Sequence, residues 1–191
     1  IVAAVTHTGL VRRENEDNLA VHSHEALWAV ADGMGGHANG RWASAQVVEE
    51  LTRVQLNGSL DADCDAIADA LADANGKIIA AGQAAGATIG STIVALRIAG
   101  GRYAGLWAGD SRIYRLRGGQ LRQLTRDHSQ VEQLVEAGII TAEQAHSHPL
   151  ANVITRAVGV DPDLALDVIE DEVAGGDSFI LCSDGLNKCL S

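Results

Sequence analysis

The 191-residue chain has a formal net charge of −11, with 25 acidic residues against 14 Lys and Arg, and 47% of its residues are hydrophobic. This hydrophobic content excludes a wholly disordered chain, and the length suits one domain with a sizeable core. A nucleic-acid surface needs clustered Lys and Arg, so the acidic balance argues against a nucleic-acid partner.

The first half of the chain changes from strand patterning to helix patterning. Residues 1–5 form a short apolar run that predicts a strand, and residues 18–21 and 27–31 predict a hairpin. From Ala38 to Val54 the apolar residues follow a helical stripe, and a second stripe covers residues 62–84. Gly76 lies inside this second helix and costs about 1 kcal/mol relative to alanine, so a break there is one alternative.

The second half is mainly β. Strands are predicted over residues 88–98, 102–108, 111–116 and 121–124, and the short glycine-containing spacers between them favour antiparallel hairpins. A short helix over residues 129–137 and a capping box from Thr141 to Gln144 follow. Further strands are predicted over residues 152–158, 164–173 and 178–182. No repeat or proline-rich linker divides the chain, so we predict one α+β domain over residues 1–191 with segregated sheets and helices.

The cysteine and hydropathy patterns indicate a cytoplasmic protein. Cys64, Cys182 and Cys189 are odd in number and lack paired spacing, which favours reduced thiols over a disulfide framework. The sequence has neither a signal-peptide pattern at its start nor an uncharged run of the roughly 20 residues that span a bilayer. We therefore expect no membrane segment, and we take a monomer as the starting expectation.

Two carboxylates at Asp-Gly turns indicate a metal site. Asp32 ends an apolar strand and opens the run Asp32-Gly33-Met34-Gly35-Gly36, and Asp184 follows a second apolar strand. A single Asp-Gly is more often a plain turn than a ligand. Three glycines in five residues, however, cost conformational entropy that a plain turn does not require. Carboxylate and carbonyl oxygens suit Mg²⁺ or Mn²⁺, whereas zinc usually brings His or Cys.

Other polar residues divide into candidate ligands and solvated groups. Asp17 precedes a predicted strand and Asp110 lies between two strands, so both share the turn context of Asp32. We interpret three histidines as residues of a solvated loop, namely His128, His146 and His148. We interpret five aspartates as a helix start with a solvated face, namely Asp61, Asp63, Asp65, Asp69 and Asp73.

Seven motifs occur in order along the chain. They are Arg12-x-x-Asn15-Glu16-Asp17, Ala31-Asp32-Gly33-Met34-Gly35-Gly36-His37, Gly90-Ser91-Thr92, Gly109-Asp110-Ser111-Arg112, Asp127-His128-Ser129, Ile154-Thr155-Arg156-Ala157-Val158-Gly159 and Ser183-Asp184-Gly185. In order and approximate spacing they resemble the metal-dependent type 2C protein phosphatases, most closely the compact bacterial members. The resemblance covers nearly the whole chain and implies a four-layer α-β-β-α sandwich of two antiparallel sheets flanked by helices.

The resemblance also implies an activity and a ligand set. The family hydrolyses phosphoserine and phosphothreonine monoesters at two Mn²⁺ or Mg²⁺ ions, with a third ion in bacterial members. By this analogy Asp32 bridges two ions, the Gly33 carbonyl and Asp184 are ligands, Asp17 acts nearby, and Asp110 holds the third ion. Attack by metal-activated water fits this chemistry, because paired cations neutralise the phosphoryl oxygens and no serine or cysteine nucleophile is needed.

Two basic side chains complete the expected catalytic set of Asp32, His37 and Arg12. Arg12 matches the phosphate-binding arginine of the family, and its planar fork suits a phosphoryl group. Arg13 is the alternative, because adjacent strand residues point in opposite directions and one of the two is expected to face the site. His37 is the candidate general acid, since imidazole titrates near neutrality, and an exposed loop histidine is the equal alternative.

The resemblance further implies a variable flap, a class of substrate and a missing segment. Residues 127–152 occupy the flap position, and the expected substrates are phosphorylated proteins, the targets of a serine/threonine kinase in bacterial signalling. Family members continue to a Gly-x-Asp-Asn motif with a further metal ligand, whereas this sequence ends at Ser191. We therefore expect a catalytic domain without its closing segment. A noncatalytic phosphoprotein-binding or regulatory fragment and a metal-dependent phosphodiesterase stay open as alternatives.

Overall fold

A computed structural model describes residues 1–10, 12–36 and 38–188. The strands are β1 (Asp17–His22), β2 (Leu27–Met34), β3 (Gly90–Ser91), β4 (Ile93–Ala99), β5 (Arg102–Ala108), β6 (Arg112–Arg117), β7 (Gln120–Gln123), β8 (Asp167–Glu172) and β9 (Ser178–Cys182). The helices are α1 (Ala38–Arg53), α2 (Leu60–Ala85), α3 (Gln130–Glu136), α4 (Ala142–His146) and α5 (Asp184–Asn187). None of these helices combines the length and apolar composition needed to cross a membrane.

The strands form two antiparallel sheets. The larger sheet has the order β1-β2-β4-β5-β8, with the short β3 paired to the end of β2, and the smaller sheet has the order β7-β6-β9. All neighbouring strands are antiparallel, and short turns join β1 to β2, β4 to β5 and β6 to β7. The predicted α+β class with two antiparallel sheets is confirmed.

Two hydrophobic cores hold the layers together. The first lies where α1 and α2 cover one face of the larger sheet, and it includes Val47, Leu51, Ile67 and Ile78. The second contains residues of both sheets, with Tyr103 of β5 and Phe179 of β9 in edge contact at a centroid distance of 4.8 Å. Strand β4 is almost wholly buried, as expected for a strand covered on both faces.

The helix and hairpin predictions agree closely with the structure. Strands β1 and β2 form the predicted hairpin, α1 starts at Ala38, and α2 runs without a break through Gly76. Gly76 has open space around its Cα, so the helix tolerates it without a packing role. The capping box at Thr141 is present, with the Thr141 hydroxyl accepting the Gln144 N–H. Cys64 and Cys182 are buried free thiols.

Three strand predictions need correction. Residues 1–5 form no strand, because no described strand pairs with them, and Ile1 and Val5 stay exposed. Residues 152–158 form only two isolated bridges, Ser129 with Ile154 and Ser91 with Val158, so the run is divided between two partners. The strand predicted over residues 88–98 is interrupted at Thr92, whose hydrogen bonds go to Asp32 and to a second hydroxyl.

Candidate active site

A cavity of about 650 Å³ opens beside the ends of both sheets. Its lining includes every described residue of the predicted site, namely Arg12, Asp17, Asp32, Gly33, Asp110 and Asp184. Side chains that the sequence reasoning did not place there also line it, among them Thr92, Asn152 and Lys188. The structure therefore brings together acidic residues that are up to 167 positions apart in the sequence.

Asp17 and Asp32 lie side by side at the open end of the β1–β2 hairpin, away from its turn. They are direct partners in the antiparallel register, so both side chains leave the same face of the sheet. The Ser183 hydroxyl donates a hydrogen bond to Asp17 Oδ2 at 2.9 Å and thereby ties this pair to the smaller sheet. Like charges directly opposite each other destabilise a sheet, so the pair needs a proton or a cation between them.

Glycines allow the backbone around Asp32 to pack tightly. A side chain at Gly33 would overlap the carbonyl oxygen of Gly40 at the start of α1, so only glycine fits there. Gly35 has a φ of 122° and lies against the backbone of Thr88 and Ile89. Strand β2 itself continues to Met34, two residues beyond Asp32, which corrects the expectation that Asp32 ends the strand.

Two buried hydroxyls connect the loops that carry Asp32 and Asp110. The Thr92 hydroxyl accepts the Asp32 N–H at 3.1 Å and lies 2.7 Å from the hydroxyl of Ser111, next to Asp110. The Thr92 N–H donates to the Asp32 carbonyl at 2.8 Å. Gly109 packs on the Thr92 side chain so closely that a Cβ there would lie 2.6 Å from the Thr92 Cβ. Thr92 therefore links the two loops that carry these carboxylates.

Asp110 and Asp184 form a second pair, with Lys188 between them. The Lys188 ammonium lies 2.5 Å from Asp184 Oδ2 and 3.8 Å from Asp110 Oδ2, and it also donates to Asn152 Oδ1 at 2.8 Å. Asp184 opens helix α5, so its carboxylate lies in the first turn. Asn152 belongs to the segment that follows α4, in the predicted flap.

The crowded carboxylates hold protons strongly. Burial raises the pKa of Asp32 to about 8, and the charges of Asp17, Asp184 and Asp110 add to the rise. Burial also raises the pKa of Asp110, Asp184 adds to that effect, and Lys188 opposes it. Carboxylates this reluctant to ionise have too little positive charge around them, which is the condition that a bound cation relieves.

The oxygen-rich donor set suits hard divalent cations. Asp17 and Asp32 form one pair of carboxylates, Asp110 and Asp184 form another, and neither pair includes a cysteine or histidine. Within residues 1–10, 12–36 and 38–188, no three acidic, histidine or cysteine side chains form one compact ligand cluster. The described carboxylates thus meet in pairs, which leaves further positions around a cation to backbone oxygen and water. The residues fit Mn²⁺ or Mg²⁺.

His128 clamps the Asp110 loop from the other side. Its Nδ1 accepts the Gly109 N–H at 3.1 Å, and its own backbone N–H donates to the Gly109 carbonyl at 2.9 Å. Its Nε2 lies 3.2 Å from Asp167 Oδ2, and its ring stacks on Trp107. These contacts require the neutral ring with the proton on Nε2, and burial lowers the pKa of His128 in the same sense.

The basic residues of the predicted site have mixed outcomes. Arg12 and Arg13 both line the cavity, as do the residues that follow them up to Asp17, so the lining does not decide between the two arginines. Residues 12–16 form no strand, and the alternation of neighbouring side chains therefore does not apply to them. His37, the predicted general acid, lies outside the described residues. Arg112 forms a bidentate ion pair with Asp127, which makes it a structural residue.

The comparisons with known proteins agree with this geometry. Two antiparallel sheets, covering helices and a carboxylate-lined cavity define the class of fold, and the model of the protein phosphatase 2C family matches residues 8–191. The chain belongs to the protein phosphatase 2C family. The resemblance inferred from the seven motifs is confirmed.

The curated and solved relatives include serine/threonine phosphatases. The phosphatase PstP of Mycobacterium tuberculosis is 39% identical in an alignment of 199 positions, which covers 99% of this chain but only 37% of PstP. The structure of PppA, "a key regulatory component of T6SS in Pseudomonas aeruginosa", is 45% identical with a TM-score of 0.90, over 97% of this chain and 77% of that one. A structure of the PstP catalytic domain "in complex with 2 Manganese ions" is 38% identical with a TM-score of 0.83, over 96% and 76%.

Proposed function

We propose that the protein is a metal-dependent protein phosphatase that hydrolyses phosphoserine and phosphothreonine monoesters. The observation that carries this proposal is the cavity that gathers Asp17, Asp32, Asp110 and Asp184 beside Arg12. Family membership supports the reaction class, and the manganese-bound PstP domain supports the cofactor. Nothing in these comparisons favours a noncatalytic fragment.

The two carboxylate pairs are the proposed metal ligands. Two Mn²⁺ or Mg²⁺ ions would be held by Asp32, the Gly33 carbonyl and Asp184, with Asp17 acting nearby. Asp110 contributes to a third, weaker position beside Asp184. When bound, the ions neutralise phosphoryl oxygens and acidify the attacking water.

The other side chains bind and orient the substrate. Arg12 borders the carboxylates in the same cavity, and its guanidinium offers two parallel N–H donors to phosphoryl oxygens. His37 remains the proposed proton donor to the leaving oxygen. Thr92 and Ser183 touch the Asp-bearing loops and keep the carboxylates in place, as residues behind metal ligands commonly do.

The proposal is tested by phosphate release from a phosphothreonine peptide with Mn²⁺, Mg²⁺ or chelator. We expect release that needs metal and that falls about 10⁴-fold in Asp32→Asn, which corresponds to a barrier increase near 5.5 kcal/mol. The matched control is Asp69→Asn, which makes the same chemical change on an exposed position of α2 and should leave the rate unchanged.

Two results would contradict the site assignment. One is chelator-sensitive turnover that survives in Asp32→Asn, and the other is the absence of metal-dependent release from the wild-type protein. A diester substrate run in parallel addresses specificity, since Arg12→Ala should weaken monoester hydrolysis far more than diester hydrolysis.

We also propose the cellular setting. The substrates are phosphoproteins made by a serine/threonine kinase, and the protein acts as a cytoplasmic monomer. The buried free thiols of Cys64 and Cys182 support a reducing compartment.

A further inference from the structure

Lys188 occupies a place in the cavity that the proposed chemistry does not use. Its ammonium contacts Asp184 at 2.5 Å and lies 3.8 Å from Asp110, although its side chain is 40% exposed and is free to extend into water. Among the described residues, Lys188 forms the ion pairs of these two carboxylates. The Asp17–Asp32 pair has no ion pair of this kind in the same part of the chain.

The position of Lys188 is fixed by local structure. Asp184 and Lys188 are separated by one helical turn of α5, which is the spacing at which opposite charges meet, and the Lys188 N–H donates to the Asp184 carbonyl at 3.0 Å. Asn152 accepts a further hydrogen bond from the ammonium at 2.8 Å. Three oxygen atoms from different parts of the chain therefore surround one amino group.

An ammonium among carboxylates has the same electrostatic effect as a small cation. Its presence lowers the repulsion between Asp110 and Asp184, and it places a positive charge where a divalent ion would bind. A second cation within about 4 Å is repelled by it, and that repulsion weakens binding.

We propose that Lys188 is a tethered counter-cation of the Asp110–Asp184 pair, which a divalent ion must displace in order to bind there. This inference rests on the proposed function, because it concerns the same metal site. It divides the cavity into two unequal halves. At the Asp17–Asp32 half, no ion pair among the described residues competes with a divalent ion. A divalent ion between Asp110 and Asp184 has to compete with Lys188 and therefore binds more weakly.

The inference predicts opposite changes in two measured quantities. Lys188→Gln should bind Mn²⁺ about tenfold more tightly at the weaker class of positions, with the tighter class changed by less than about threefold. The same variant in chelator should melt at a lower temperature than the wild type, because its carboxylates have lost their cation. Lys188→Arg keeps the charge and should resemble the wild type in both respects.

The chain offers a matched control. Its only other lysine is Lys77, which pairs with Glu50 on the helical side of the molecule. Lys77→Gln changes the net charge equally, so it should leave both classes of Mn²⁺ affinity unchanged. Mn²⁺ binding is measured by electron paramagnetic resonance of free Mn²⁺, and thermal unfolding is followed in parallel.

The outcomes separate this inference from the proposed function. Mn²⁺ binding that is equal or weaker in Lys188→Gln, or equally tightened in Lys77→Gln, would overturn the counter-cation role and leave the phosphatase proposal intact. Absence of Mn²⁺ binding by the wild-type protein and by Lys188→Gln would overturn both. Tighter binding together with lower metal-free stability in Lys188→Gln alone is the expected result.

Discussion

Two groups of carboxylates in this molecule are neutralised in different ways. Asp63, between the helices and the larger sheet, is completely buried and accepts hydrogen bonds from Arg97 at 2.7 and 3.0 Å and from the Asn57 N–H at 2.7 Å. Asp32 is surrounded by other carboxylates instead, and its pKa rises to about 8 through burial and those charges.

The difference shows what each group is for. The Asp63 carboxylate pairs with Arg97 inside the fold, so its charge stabilises the contact between the start of α2 and strand β4. Within the described part of the chain, the ion pairs of the site carboxylates are those of Lys188 with Asp110 and Asp184. A cation from solution would relieve the repulsion that remains. Substitutions around Asp63 should therefore alter the stability of the fold, whereas substitutions around the site carboxylates should alter metal binding.

The largest effect on stability is expected from Arg97→Met. Removing one partner of a buried ion pair leaves Asp63 charged and unpaired, which costs about 3 to 5 kcal/mol of the free energy of unfolding. Urea denaturation measures this cost. The control is Arg102→Met, because Arg102 pairs with Asp61 and Glu170 at the exposed surface and such pairs contribute less than about 1 kcal/mol.

Arg97→Met should keep the Mn²⁺ affinity of the wild type at temperatures where it remains folded. A loss of Mn²⁺ affinity in that variant would show that the two groups are coupled. Equal stability of Arg97→Met and the wild type would contradict the structural role of the pair.

A smaller effect is expected from Thr92→Val, a change of nearly equal volume. It removes the hydroxyl that links the Asp32 N–H to Ser111, which costs about 1 to 2 kcal/mol of stability and weakens Mn²⁺ binding about tenfold. Thr52→Val is the matched control, because the Thr52 hydroxyl bonds to its own helix at the carbonyl of Val48. If both variants bind Mn²⁺ as the wild type does, Thr92 has no positioning role.

The smallest effect concerns the pH dependence around His128. Burial lowers its folded-state pKa below the ordinary value of about 6.5, and the charge of Arg156 adds to this fall. The carboxylates of Asp167 and Asp127 oppose it. The stability contributed by neutral His128 is therefore complete above about pH 6.5 and is lost as the pH falls from there through the lower folded-state pKa. Protonation also places an N–H against the Gly109 N–H.

Denaturation curves between neutral and mildly acidic pH measure this contribution. The free energy of unfolding of the wild type should begin to fall near pH 6.5 as the pH is lowered, and His128→Gln should lack this part of the fall. Identical pH profiles for the two proteins would show that His128 is not held neutral.

The sequence predicts elements whose signal is local. The β1–β2 hairpin and helices α1 and α2 were correctly located, because their apolar periodicity lies within each segment. Residues 1–5 and 152–158 have equally apolar sequences but form no continuous strand, since a strand also needs a partner elsewhere in the chain.

The site shows the same division. The Asp-Gly turns and the ordered motifs indicated the carboxylates, and in the structure these residues line one cavity. Asp63 lies in the first turn of α2, as predicted, but it is completely buried and not solvated. Its partner Arg97 lies 34 positions away, so no local pattern indicates the pair. The contacts of Thr92 with Ser111 and of Lys188 with Asn152 likewise join distant segments and have no local pattern.

The most direct test of the contrast between these groups is the free energy of unfolding of the wild type and Asp32→Asn, each in chelator and in Mn²⁺. We predict that Mn²⁺ at about 100 times its Kd stabilises the wild type by about 2.7 kcal/mol and stabilises Asp32→Asn far less. In chelator the variant should be at least as stable as the wild type, because it removes a crowded carboxylate. Equal stabilisation of both proteins by Mn²⁺, or of neither, would contradict the assignment of these carboxylates to a cation.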